Sequence, residues 1–249
     1  MVIGGTVHAV CNATEYLART VRSVETYPTD GTRSGRPLII VFVIAVALAI
    51  ACGTVAAGGE VPGWEQSIFH AVNDLPDWLE GPMWVFQLAG LLFVPFIVAV
   101  VAALFRKWWL AGALVALVPL KLFVEKVVVK QLVERERPGT TICGYPDAFD
   151  EACGNFRDVP LFGLSFVSGH AVIAWSVATV LFVALPGRWR WVPFAVATLN
   201  AIARVYLGAH NPLDVVGGGA IGVAVGVAVV GATGFVRSRL EARRPSSAA

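Results

Sequence analysis

Long apolar runs, each bounded by a few polar residues, dominate this sequence. Six stand out, over 38–57, 82–105, 108–128, 166–185, 191–209 and 213–236. At about 1.5 Å per residue, a helix of about 20 residues crosses a hydrocarbon core of about 30 Å. The pattern therefore predicts an all-α fold, an integral membrane bundle of six transmembrane helices. Ahead of the first run, Val7, Val10, Leu17, Val21 and Val24 recur at helical spacing with Arg19 and Arg22 between them. An interfacial amphipathic helix and a disordered tail both fit that segment. The first run is too long for the core of a signal peptide, so it is expected to stay in the chain. In the last run Gly218, Gly222 and Gly226 recur every four residues, a stripe that lets helices approach closely.

Composition supports the membrane reading: 57% of the 249 residues are hydrophobic and 14% are charged, too apolar for an ordinary soluble domain. The runs leave room for a leader over 1–37, one membrane domain over 38–236 and a basic tail over 237–249. Lysine and arginine placement then orients the bundle. Arg19, Arg22, Arg33, Arg36, Arg106, Lys107, Arg188, Arg190, Arg237, Arg239, Arg243 and Arg244 all fall on one side if six spans alternate. The opposite side holds Lys130, Arg135, Arg137 and Arg157, and its 58–80 loop carries acids without a lysine or arginine. Both termini are expected to be cytoplasmic. The net charge of +2 reflects this topology and gives no reason to expect nucleic-acid binding. Cys143 and Cys153 share the long outer loop in a compartment that permits disulfides, so a bridge is the favoured reading and two free thiols the alternative.

Polar residues break the apolar pattern in three places, all at the outer face. In "KQLVERERP", Lys130 and Arg137 are seven residues apart. On a continuing third helix they share a face about 10 Å apart along the axis, placed to grip a phosphate; snorkelling beside Glu134 and Glu136 is the alternative. In "SFVSGHAVIAW", Ser168, Gly169 and His170 open the fourth run, where the free N–H groups of a helix start attract anions. In "AIARVYLGAHNPLDVV", Arg204 lies inside the fifth run, where a charge suggests function. Gly208 and Pro212 predict that the helix stops before His210, with Asn211 and Pro212 opening the next one. Asp214 then falls in that helix's first turn, within reach of the imidazole. A carboxylate holding one ring nitrogen makes the other a better nucleophile or base. Together the three clusters describe phosphoryl transfer through a histidine. They contain no grouping of acids or cysteines that would hold a metal, so the cations must neutralise the phosphate.

The series K-x6-R-P (Lys130, Arg137, Pro138), S-G-H (Ser168, Gly169, His170) and R-x5-H-x3-D (Arg204, His210, Asp214) resembles the type 2 phosphatidic acid phosphatase superfamily. The match covers roughly 80–220. Two positions depart from the family pattern, Val167 in place of a proline and Ala203 in place of a serine. The resemblance implies a helical membrane bundle that hydrolyses phosphate esters or anhydrides without metal or other cofactor. Carried over by position, His210 is the nucleophile, Asp214 orients it, and His170 protonates the leaving oxygen and then activates water. Lys130, Arg137, Arg204, Ser168 and the N–H of Gly169 hold the nonbridging oxygens. The expected substrate is a lipid phosphate or diphosphate met at the outer leaflet of the cell membrane, with polyprenyl diphosphate first by family analogy. Phosphatidic acid or phosphatidylglycerol phosphate, and phosphate transfer to another acceptor, are alternatives. A non-enzymatic lipid binder or transporter is the competing class. The oligomeric state is not legible.

Overall fold

A computed structural model describes residues 35–148, 150 and 153–242. Residues 1–34 of the leader, with Cys11, Arg19, Arg22 and Arg33, and residues 243–249 of the tail, with Arg243 and Arg244, lie outside the described residues. The helices are α1 (Gly35–Ala56), α2 (Gly63–Asn73), α3 (Glu80–Gln87), α4 (Val94–Leu104), α5 (Trp108–Leu122), α6 (Pro138–Thr141), α7 (Gly169–Ala184), α8 (Val192–Tyr206) and α9 (Pro212–Ala242). Beyond Leu122, α5 runs on through wider π-type turns over Phe123–Val129 into a last turn at Lys130–Leu132. No strand occurs among the described residues; one isolated antiparallel bridge joins Glu136 to Leu164.

Helix lies on each of the six apolar runs, so the all-α expectation agrees with the structure. Crossing a membrane is a stricter test. By length and composition α1 and α9 each pass, and the bent pair Asp77–Gly90 and Val94–Leu104 passes as a unit, giving two or three candidate spans. The 16 residues of α7 would cover only about 24 Å as an ideal helix.

Two expectations need correction. The run over 82–105 is not one helix, because the axis bends by 69° between Gly90 and Val94. Leu91 is extended at φ −71°, ψ 144°, and Pro95, which has no N–H to bond backwards, starts the next helix. The third helix, in turn, stops before Arg137. Val133 turns extended at φ −130°, ψ 94°, and Arg137 is extended ahead of Pro138, the conformation a following proline favours. Lys130 and Arg137 therefore do not share one helical face.

The centre of the bundle is α9, which packs chiefly on α7 and α1, while α8 also packs on α7 and α4 on α5. Its glycine stripe explains the closeness of α7. A Cβ on Gly222 would stand 2.6 Å from the Val172 carbonyl oxygen, and one on Gly226 2.6 Å from Thr179 Cβ. Ser176 uses that proximity to donate to the Gly222 carbonyl at 3.0 Å.

Candidate active site

Gly208, at φ +79°, reverses the chain after α8, and α9 begins at Pro212. His210 is thereby folded inward and is 3% exposed. Asp214 is fully buried in the first turn of α9 and accepts from the Asn211 N–H at 2.8 Å. The expected direct bond between the two is not formed, since His210 Nδ1 and Asp214 Oδ2 are 3.7 Å apart. Ser165 lies between them: its Oγ is 3.0 Å from His210 Nδ1 and donates to Asp214 Oδ2. On the other side of Asp214 stands Arg135, whose Nη1 is 3.4 Å from Oδ1. Arg135 also grips Glu65 of α2 with both terminal nitrogens, at 3.1 and 2.6 Å. Glu65 in turn accepts the Leu213 N–H at 2.8 Å. Burial first, and then the positive charges of Arg204, Arg137 and Lys130, hold the His210 imidazole well below its ordinary range, so it is neutral.

The cations converge from separate elements. Arg204, 6% exposed near the end of α8, donates to the side-chain oxygen of Gln87 at the end of α3. Its hydrogen-bond partner is a neutral amide, and no ion pair to a carboxylate is made by Arg204 among the described residues. Arg137 donates to the Ala209 carbonyl at 3.0 Å, beside His210. Lys130 is 3.3 Å from Glu125, which also pairs with Lys121. His170 is half-buried in the first turn of α7, within Coulombic reach of Arg204, His210, Lys121 and Arg137. The structure thus brings all three sequence clusters to one place.

Two residues sit there differently from their expected use. Ser168 does not cap α7, and its buried hydroxyl has no hydrogen-bond partner among the described residues. The space a Cβ would need at Gly169 is taken by the Glu125 carboxylate, with Oε1 2.7 Å from that position. The anion that approaches this glycine is the protein's own. Gly90, at the bend, is similarly confined by His170, whose Cβ would be 2.5 Å from an added Cβ.

Sequence reasoning missed Ser165, Glu65, Gln87, Lys121, Glu125 and Arg135 as site residues. Lys121 and Glu125 carried a usable signal, because charges inside an apolar run are costly and mark function by default. Ser165, Gln87 and Glu65 carried none.

The loop that carries Cys143 and Cys153 is fastened beside this cluster. Cys143 and Cys153 are disulfide-bonded, with Cα atoms 5.6 Å apart. Arg157 donates to the Tyr206 carbonyl at 2.6 Å and lies 3.9 Å over that tyrosine's ring. Asn73 of α2 donates to Asn155 and Tyr206 carbonyls at 2.8 and 2.9 Å. These bonds hold the loop against the end of α8, next to His210. Among the described residues no group of three or more His, Cys, Asp or Glu is gathered in metal-binding fashion.

A neutral buried histidine, a second histidine and cations from three elements offer a nitrogen lone pair and positive charge, the two things that attack on a phosphate requires. The PAP2 superfamily model matches residues 106–237, more than half of the chain. The chain belongs to the PAP2 superfamily. This PAP2 chain is 41% identical over 59 residues to an undecaprenyl-diphosphatase of Sulfolobus acidocaldarius, covering 23% of the chain but only 28% of that protein. It is 34% identical over 143 residues to the decaprenylphosphoryl-5-phosphoribose phosphatase of Mycobacterium tuberculosis, covering 55% of the chain and 68% of the relative. Among solved structures, Aquifex aeolicus LpxE aligns at TM-score 0.51 and 27% identity, over 66% of this chain and 93% of LpxE. A transmembrane PAP2-type phosphatidylglycerolphosphate phosphatase of Bacillus subtilis aligns at TM-score 0.56 and 23% identity, over 84% and 98%; that likeness speaks for the fold.

Proposed function

We propose that this PAP2 protein is a metal-independent membrane phosphatase that removes phosphate from a polyprenyl-linked phosphate or diphosphate. The observation carrying this reading is the convergence of His210, His170, Asp214 and the cations Lys130, Arg137 and Arg204 around the buried His210 imidazole. The polyprenyl tail is supported by the two curated relatives, whose names both specify a polyprenyl carrier.

In this reading the site works in two displacements. His210 Nε2 attacks phosphorus, forming an N–P bond as the bond to the leaving oxygen breaks, and His170 gives that oxygen a proton. Water then attacks the phosphohistidine while His170 takes its proton back, and the N–P bond breaks to release phosphate. Lys130, Arg137 and Arg204, with Ser168 and the Gly169 N–H, hold the nonbridging oxygens, where charge grows in the transition state. The chain crosses the membrane six times with both termini cytoplasmic, which sets this cluster at the outer leaflet.

The decisive experiment is phosphate release by purified protein in detergent with chelator present. Farnesyl diphosphate, undecaprenyl diphosphate, phosphatidic acid and phosphatidylglycerol phosphate are compared. The prenyl diphosphates are expected to turn over fastest. No phosphate from any of them, or activity lost to chelator and restored by magnesium, would overturn the reading. For topology, membrane-impermeant thiol reagents on sealed cells should miss Cys11 and, after reduction, reach Cys143 and Cys153.

A further inference from the structure

The Ser165 hydroxyl, 3.0 Å from His210 Nδ1, has no role in the reading above and is not among the residues of the three motifs. Ser165 is fully buried, three residues before Ser168, and its backbone N–H donates to the Arg135 carbonyl at 2.7 Å. Its hydroxyl is the link between the histidine and the carboxylate, whose own separation of 3.7 Å is too long for a hydrogen bond. A hydroxyl has a single proton to donate, and here it goes to Asp214 Oδ2. The imidazole must then be the donor to Ser165 Oγ, which puts its proton on Nδ1 and leaves the lone pair on Nε2.

We infer that Ser165 is a positioning residue for the nucleophile, relaying the hold of Asp214 through the chain His210 Nδ1–H to Ser165 Oγ–H to Asp214. The inference rests on the assignment of His210 as nucleophile. When Nε2 bonds to phosphorus the ring becomes cationic, and no proton has to leave. Each proton stays on its own atom while the two hydrogen bonds strengthen toward the carboxylate, as bonds in series do in a dry interior. Asp214 is already engaged by Asn211 and Arg135, so its carboxylate is fixed with one direction left for the serine.

The test is a double-mutant cycle with farnesyl diphosphate as substrate and para-nitrophenyl phosphate as a small soluble comparison. Ser165→Ala is expected to lower kcat about 10- to 100-fold, as for a buried partner lost, with KM changed less than about threefold. Ser165→Cys, which keeps the size and weakens the donor, should fall between Ala and the parent. The discriminating result is coupling. If the serine transmits the effect of the acid, Ser165→Ala combined with Asp214→Asn should be no slower than Asp214→Asn alone. Multiplying losses, a change confined to KM, or Ser165→Ala within twofold of the parent would each overturn the relay. His210→Ala, run alongside, separates the two ideas: an inactive alanine variant with an unaffected Ser165→Ala sinks the relay alone, and an active one sinks the nucleophile.

Discussion

The helices α1 and α9 are both long and apolar enough to cross a membrane, yet the protein uses them in opposite ways. Only 17% of the best apolar window of α1 is buried, against 67% of that of α9. On α1, Ile40 and Val43 stand 58% and 57% exposed. On α9 a stripe of glycines lies against α7, and the first turn carries Asp214. Lipid tails are as apolar as leucine, so no hydrophobic force draws α9 inward; it is held by close backbone approach and by buried polar bonds. Hydropathy therefore selects both helices and says nothing about which one organises the site.

That contrast can be broken most visibly at the polar end of α9. His210→Ala should remove phosphate release by several orders of magnitude, and Asp214→Asn should leave a reduced but measurable rate. Ile40→Ala on α1 should leave turnover unchanged. Next in size is the helix contact. Gly222→Leu drives a side chain into the α7 backbone and should lower stability by about 1–3 kcal/mol or more, read as a fall in melting temperature in detergent. Smaller again is the effect of pH. His210 is held neutral by burial, so its contribution to stability is full above its ordinary pKa of 6.5 and is lost as pH falls below it. Melting temperature should therefore decline between pH 7 and 5, and His210→Gln, which does not titrate there, should reduce the slope. The smallest change is expected on α1, where Ile40→Ala should shift stability by less than about 0.5 kcal/mol.

The helices were legible because apolar runs of helical length leave few other structures. The motif residues were legible because histidines and arginines at the edges of such runs have little reason to be there. What could not be read was the route of the chain between them. Pro95 and Pro138 mark where helices restart, but apolar spacing alone does not show the 69° bend after Gly90 or the helix stop at Val133. The approach of Glu125 to Gly169 is set by tertiary contacts. A serine is an ordinary residue in a loop, and nothing in the spacing of Ser165 marks it as the neighbour of His210. The positions of Gln87 and Glu65 depend likewise on how α2 and α3 come back over the bundle.

The Arg135–Glu65 pair bears on where this catalytic module begins. The region shared with the family model starts at residue 106, whereas Glu65 lies upstream, on α2. A fragment trimmed to the shared region would keep Arg135, buried and charged, with Asp214 3.4 Å away, and lose the Glu65 carboxylate that it grips with both terminal nitrogens. Removing one partner of a buried ion pair costs about 3–5 kcal/mol. The same cut removes Gln87 from Arg204 and α1 from the flank of α9. Recombinant fragments and chimaeras should therefore be joined upstream of α1, and a fragment cut at residue 106 is expected to melt below the full chain in the same detergent.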